Sequence, residues 1–214
     1  MRNRLMEMFN LMLVQFGPQH WWPGDGPFEM MVGAMLTQNT SWTNVEKAIN
    51  NLKVMNLLTV EAIHEIPVER LADIVRPAGY YNIKASRLKN LVNMLMERYG
   101  GNIFRLFDED MDAQRTTLLS VKGIGPETAD SIILYAAKKP IFVIDAYTHR
   151  ILNRHNMADD QAAYDEMQDI FMSSLEPDHN LFNEFHALIV RTAKLYCRKI
   201  PQCDKCPLDG WEKG

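Results

Sequence analysis

The chain has 214 residues, which suits one large or two small domains, and 47% of them are apolar, enough for a buried core. The formal net charge of −4 argues mildly against nucleic-acid binding, since phosphate contacts need Lys and Arg, although a local basic face can exist on an acidic protein. No apolar run reaches the ~20 residues of a bilayer span, and the N-terminus lacks a signal-peptide pattern, so we expect a cytoplasmic protein with no membrane partner.

Helical periodicity runs along almost the whole sequence. Apolar residues recur every three or four positions in segments 28–38, 44–55 and 83–100, and the last of these ends at a Gly-Gly pair typical of a helix stop. Only the segment 139–145, KPIFVID, resembles a strand. The pattern predicts an all-α fold of about ten helices joined by short turns.

The stretch KGIGPET joins two of the predicted helices. Gly123 and Gly125 permit positive φ and leave backbone N–H groups uncovered, while Pro126 suits the first turn of the next helix. Free N–H groups at such a place bind anions, above all phosphate, and Lys122 adds positive charge. Taken alone, these residues are more typical of a tight turn between two packed helices.

The stretch VIDAYTHR follows about twenty residues later. Asp145 lies where an extended segment meets a new helix, so we predict that it caps the helix N-terminus and stays ionised among backbone N–H groups. For an isolated Asp, a purely structural cap is the alternative.

Together, LLSVKGIGPETA and VIDAYTHR resemble the helix-hairpin-helix and Gly/Pro-Asp signature of the endonuclease III superfamily of DNA glycosylases. The resemblance covers nearly the whole chain. It implies an endonuclease III-like fold with a six-helix domain at 28–137, a second domain formed by 1–27 plus 138–214, and an interdomain cleft holding Asp145. It also implies a monomer that acts on damaged bases in double-stranded DNA and is nucleoid-associated in a bacterial-type cytoplasm.

The resemblance assigns chemistry to the carboxylates. Asp145 would be the catalytic residue, because its charge would stabilise the positive sugar that develops as the base departs. Bifunctional members carry a Lys where this chain has Glu127, and a carboxylate cannot form the Schiff base that leads to strand cleavage. We therefore expect a monofunctional glycosylase. Backbone amides of Gly123, Ile124 and Gly125 would hold a DNA phosphate, often together with a monovalent cation.

Three tryptophans point to one branch of the superfamily. Trp21 and Trp22 in HWWP, Trp42 after QNTS, and Glu127 after the hairpin resemble the bacterial 3-methyladenine DNA glycosylases, in which aromatic residues enclose the flipped base. Electron-rich rings favour a base made cationic by ring methylation. The resemblance thus implies 3-methyladenine as the substrate, with 7-methylguanine as a second one. Core packing is the alternative for the tryptophans.

Further DNA contacts are predicted outside the hairpin. Gln38 matches the family residue that fills the gap left by the flipped nucleotide, and Tyr80 lies where a bulky residue intercalates. Lys84 belongs to a basic segment, RPAGYYNIKASRLK, that would touch phosphate. The respective alternatives are a C-terminal helix cap, a buried ring and a solvated helix face.

The C-terminal cysteines, Cys197, Cys203 and Cys206, are spaced C-x5-C-x2-C. Their clustering in a cytoplasmic chain favours metal binding over disulfides. Family counterparts hold a [4Fe-4S] cluster with four cysteines, one per iron. Here the fourth position falls near Glu212, so either a cluster with a different fourth ligand or a decayed site with free thiols is compatible with the sequence.

Two other functions remain open at this stage. A thymine or uracil mismatch glycosylase, or an oxidised-pyrimidine glycosylase, would share the fold but would need more polar groups in its base pocket. A non-catalytic helix-hairpin-helix module would only bind DNA, and Asp145 argues against it.

Overall fold

The computed structural model describes residues 1–22 and 24–211, and this part of the chain contains twelve α-helices and no strand. The all-α prediction is therefore confirmed. In chain order the helices are α1 Arg2–Phe16, α2 Pro27–Leu36, α3 Trp42–Val54, α4 Val60–Glu65, α5 Val68–Ile74, α6 Tyr81–Tyr99, α7 Ile103–Phe107, α8 Met111–Leu119, α9 Pro126–Ser131, α10 Ala146–Arg154, α11 Tyr164–Met172 and α12 His179–Leu195. No described helix is both long and apolar enough to cross a membrane.

The chain divides into two compact units. We call Pro23–Lys138 the hairpin unit, and Met1–Trp22 with Lys139–Gly214 the Asp145 unit. The sequence predicted a first domain at 28–137, and the observed hairpin unit runs from 23 to 138. The hairpin unit holds the eight helices α2 to α9 among its described residues, against six predicted, and four of them have seven residues or fewer.

In the hairpin unit, α6 is the central helix. Its buried residues Leu88, Leu91, Val92 and Leu95 recur every three or four positions, so a single apolar stripe faces the neighbouring helices. It packs against α2, α4, α5 and α7. After α9 the chain widens into a π-helical turn, Ile132–Ala136, which is fully buried and packs on α2.

The Asp145 unit is built on α12, which packs against α1 and α10. Its core is aromatic. The rings of Phe142 and Phe171 stack at 3.7 Å, and the rings of Phe182 and Phe185 meet Phe142 edge-on at 5.5 and 5.8 Å. This cluster anchors the segment that leads into α10.

The strand predicted at 139–145 is wrong, although residues 141–144 are buried and the segment is non-helical up to Asp145. Side chains of α11 replace the partner strand. Gln168 Nε2 donates to Phe142 O at 2.6 Å, and the Ile144 amide donates to Tyr164 Oη at 3.3 Å. Because buried backbone groups need partners of some kind, these bonds allow an apolar extended run to be buried without a sheet.

Candidate functional site

The hairpin connects α8 to α9, and its two glycines have different geometries. Gly123 has φ +100°, whereas Gly125 is extended at φ −101°, so only the first uses the left-handed region that glycine permits. The Ile124 amide donates to Val121 O at 3.0 Å, which corrects its predicted availability to phosphate. The amides of Gly123 and Gly125 donate to nothing within residues 1–22 and 24–211. These two N–H groups are available to an anion.

Side chains from outside the hairpin bind its carbonyl groups. Gln38 Nε2 donates to Gly123 O at 3.1 Å and to Thr128 Oγ1 at 3.0 Å, and Asn90 Nδ2 donates to Lys122 O at 2.9 Å. Gln38 thus lies against the hairpin in this structure, and it is not a simple helix cap. Its gap-filling role stays a prediction. The monovalent cation also stays a prediction, since a hairpin carbonyl oxygen that already accepts one hydrogen bond can still interact with a cation.

Lys84 does not form part of a phosphate-binding face, and this prediction is wrong. The side chain is 2% exposed, and its ammonium donates to Leu36 O at 2.8 Å and Ala78 O at 2.7 Å. Burial, with a smaller contribution from the charge of Arg87, lowers the pKa of Lys84 to about 8. Lys89 likewise donates to Ile63 O and Ile66 O, at 3.0 and 2.8 Å. These two basic groups bind carbonyl oxygens inside the unit.

Other predicted DNA contacts lie on the surface. Tyr80 is 71% exposed in a left-handed conformation, so the alternative of a buried ring is excluded and the intercalating role stays a prediction. Lys122 is exposed beside Gly123. Glu127 is exposed in the first turn of α9, and Trp42 is half-buried as the first residue of α3.

Asp145 caps α10, as predicted. Its Oδ1 accepts bonds from the amides of Tyr147 at 3.0 Å and Thr148 at 2.7 Å, and from Thr148 Oγ1 at 3.0 Å. Its Oδ2 lies 3.6 Å from His186 Nε2. The two oxygens therefore have separate environments: one is committed to the helix, and the other is directed to a histidine.

Opposing effects act on the pKa of Asp145. Burial alone would raise it, since the side chain is only 14% exposed, but the charge and hydrogen bonding of His186 and the bonds from Thr148 outweigh burial and lower it. Asp145 is therefore an anion at neutral pH. His186 is 4% exposed on α12, and the sequence did not identify it as a partner of Asp145. A histidine on the apolar face of a helix was the signal that could have identified it.

The tryptophan pair lies in the same unit as Asp145. The rings of Trp21 and Trp22 meet edge-on with centroids 5.5 Å apart. Lys194 Nζ lies 5.9 Å from the Trp21 ring centroid and 5.5 Å from that of Tyr147, whose own amide donates to Asp145 Oδ1. Tyr147 and Lys194 thus connect the aromatic pair to the Asp145 cap.

A cavity of about 270 Å³ adjoins these residues, lined by Trp21, Lys194, Gln19, Arg191 and aliphatic residues of α12. The indole nitrogen of Trp21 is buried and has no hydrogen-bond partner among the described residues. This volume lies just below the usual range for ligand pockets, about 300 to 1,000 Å³.

The three cysteines line a separate cavity of about 550 Å³ in the Asp145 unit. Cys203 is exposed and Cys197 is buried, with Arg154 Nη1 donating to its Sγ at 3.2 Å. Burial, with smaller contributions from the neighbouring thiols, raises the pKa of Cys206. Over residues 1–22 and 24–211, no three His, Cys, Asp or Glu side chains converge as a metal site. The predicted fourth position, Glu212, lies outside the described residues. Three thiols do not fit a four-thiolate [4Fe-4S] cluster.

A helix-hairpin-helix with two available amides is followed by an ionised Asp that caps the next helix. This arrangement defines a class of DNA-binding repair proteins. Residues 32–177 match the family model described as "HhH-GPD superfamily base excision DNA repair protein". The chain belongs to this superfamily, and it is a DNA glycosylase of base excision repair.

Individual relatives agree with this assignment. The chain is 45% identical over 205 residues, 95% of its length and 93% of the relative's, to a candidate DNA repair glycosylase of Methanocaldococcus jannaschii. It is similar to the structure of Helicobacter pylori 3-methyladenine DNA glycosylase bound to 1,N6-ethenoadenine, with 31% identity, a TM-score of 0.76, and coverage of 90% and 96% of the two chains. A trapped endonuclease III–DNA covalent intermediate has the same fold, with a TM-score of 0.84 at 21% identity, covering 100% and 98%.

Proposed function

We propose that the protein is a monofunctional DNA N-glycosylase that releases alkylated purines from duplex DNA. The observation that carries the proposal is Asp145, an anion that is 14% exposed and has one oxygen bound to α10 and the other beside His186. A fixed carboxylate of this kind suits a reaction in which positive charge develops on the substrate.

The proposed reaction breaks the bond between the sugar C1′ and the purine nitrogen, and water supplies the hydroxyl that replaces the base. The second proton of that water passes to the departing purine when the base is neutral, and to solvent when the base is cationic. Asp145 stabilises the positive sugar as the base leaves with the bonding electron pair. Because the helix amides hold Oδ1, the carboxylate is oriented before the substrate arrives, and no reorganisation is needed during the reaction. His186 acts through Asp145 as a positioning residue. No group of the cysteine loop takes part.

The monofunctional assignment rests on Glu127, in the first turn of α9. A carboxylate there cannot attack the sugar as an amine does, so no Schiff base forms and the abasic strand stays intact. Lys122, five residues earlier and exposed at the hairpin, serves as a phosphate contact in this proposal.

Two features support alkylated purines as the substrate class. Trp21 and Trp22 provide stacking surfaces in the Asp145 unit, and Trp42 provides a further aromatic surface in the hairpin unit. A similar Helicobacter pylori enzyme is a 3-methyladenine glycosylase whose structure holds 1,N6-ethenoadenine. However, the Lys194 ammonium already lies near Trp21, and it would repel a base that carries full positive charge. The substrate set should therefore include neutral alkylated purines such as 1,N6-ethenoadenine beside 3-methyladenine.

The deciding experiment measures free bases released from duplexes that contain 3-methyladenine, 7-methylguanine, 1,N6-ethenoadenine, thymine mismatches, uracil or oxidised pyrimidines. We expect 3-methyladenine release, intact strands before alkali treatment, and no borohydride-trapped adduct. Release of pyrimidines alone would show that the substrates are pyrimidines and not alkylated purines. Strand nicking with trapped adducts would overturn the monofunctional assignment. DNA binding without any base release would indicate a non-catalytic DNA-binding module. The full-length protein should run as a monomer with and without DNA.

A further inference from the structure

One stripe of α6 connects three parts of the hairpin unit. Lys84, Arg87 and Asn90 follow one another at intervals of three residues, so they lie on the same side of the helix. Lys84 binds the last carbonyl of α2, Arg87 binds the Gln38 side chain just beyond α2, and Asn90 binds the hairpin at Lys122 O. The stripe thus spans from the end of α2 to the hairpin.

Arg87 makes two contacts that no other residue of the stripe combines. Its Nη1 donates to Gln38 Oε1. Its aliphatic stem packs on Gly123 so closely that a Cβ added at Gly123 would collide with Arg87 Cγ. The backbone of Gly123 and the amide of Gln38 are therefore both positioned by one half-buried side chain.

The Gln38 amide has a single consistent orientation in this arrangement. Its oxygen accepts from a guanidinium, which has no acceptor, so its nitrogen must face Gly123 O and Thr128 Oγ1. Without Arg87, the amide oxygen would lose its charged donor, and the side chain could rotate away from the hairpin. A hydrogen bond to a charged group is worth more than a neutral one, so this is the strongest of the three.

We propose that Arg87 is a positioning residue that fixes Gln38 to the phosphate-binding hairpin. The side chain that fills the gap and the loop that binds the phosphate then keep a fixed position relative to each other. This inference rests on the proposed function, since it assigns the gap-filling role to Gln38. Arg87 acts from within the protein, through Gln38 and Gly123, and makes no contact with the reacting atoms.

The test measures binding and requires no base release. Affinities are measured by fluorescence anisotropy for an undamaged duplex and for a duplex with a stable abasic-site analogue, which presents the gap. Arg87→Met keeps the stem but removes the donor, and we expect it to weaken abasic-duplex binding about tenfold, the effect of one charged hydrogen bond, with undamaged-duplex binding changed less than about twofold. Arg87→Lys restores a donor and should recover part of the affinity.

A double-mutant cycle separates positioning from independent contacts. Gln38→Ala should weaken abasic-duplex binding to a similar degree, and Gln38→Ala with Arg87→Met should be no weaker than either single variant. Arg98→Met, an exposed charge at the far end of α6, controls for lost charge, and thermal unfolding controls for folding.

Several outcomes would overturn the inference. These are additive effects of the two substitutions, an equal loss on both duplexes, tighter abasic-duplex binding by Arg87→Met, or no effect of Gln38→Ala. Because the cycle uses an uncleavable analogue, it can fail while base release is intact, and it can succeed where base release fails. The two proposals are thus tested separately.

Discussion

Replacing Asp145 by Asn removes the charge that the proposed mechanism needs while keeping the start of α10. Asn is as good a helix cap as Asp, and its amide oxygen can accept the same two backbone bonds, from Tyr147 and Thr148. The fold should therefore survive. Loss of one preorganised electrostatic group costs about 3 kcal/mol in the transition state, so we expect Asp145→Asn to release 3-methyladenine about a hundredfold more slowly, or worse.

The structure provides a matched control at Asp178. This residue caps α12 in the same way, with Oδ1 accepting from the amides of Asn180 at 2.7 Å and Leu181 at 3.3 Å, but it is exposed. Asp178→Asn should stay within about twofold of the wild-type rate, as is usual for a capping residue that is replaced by another good cap.

The assay is single-turnover base release with enzyme in excess over DNA, which isolates the chemical step from product release. Abasic-duplex affinity is measured in parallel, and it should change little in Asp145→Asn if the fold is intact. A wild-type rate in Asp145→Asn, or an equal loss in Asp178→Asn, would refute the electrostatic role.

Three further predictions concern the hairpin, the buried lysine and the pocket. Gly125→Ala should keep wild-type stability, because a Cβ there meets open space, yet it should bind DNA more weakly if phosphate approaches that backbone. Gly123→Ala should lower the melting temperature, because φ is +100° and the added Cβ would collide with Arg87. The pKa of Lys84 is lowered from 10.5 to about 8 on folding, so the contribution of Lys84 to stability is smallest below pH 8 and grows as pH rises to 10.5. The free energy of unfolding of the wild type relative to Lys84→Met, from urea titrations, should rise by about 3 kcal/mol across that window. A difference that does not change with pH would contradict the burial of the Lys84 charge. Lys194→Gln should raise the excision rate of 7-methylguanine relative to 1,N6-ethenoadenine, measured by competition, because it removes a like charge near Trp21; an unchanged ratio would show that Lys194 does not face the base.

Local chemistry was the most predictable part of the molecule. The Asp145 cap depends only on residues 145–148, and a carboxylate before a helix has few other uses, so the sequence pattern was sufficient. The long helices were equally accessible, since α6 has an apolar stripe of regular spacing.

Contacts between distant residues were not predictable in the same way. Lys84 and Lys89 belong to a basic segment of the sequence, but the carbonyl oxygens that they bind come from the ends of other elements, up to 48 residues away. His186 is 41 residues from Asp145, and only the packing of α12 against α10 brings them together. The strand at 139–145 was mispredicted because apolar β-formers satisfied the pattern, while the hydrogen-bond partners came from side chains of α11.

The unequal burial of the three thiols has a practical use. Cys203 is exposed, whereas Cys197 is buried and the pKa of Cys206 is raised by its surroundings. Since the thiolate is the reactive form, a maleimide dye at neutral pH should attach first at Cys203. The native chain therefore carries its own attachment point for a fluorophore, and its encounter with DNA can be followed in real time without introducing a new cysteine.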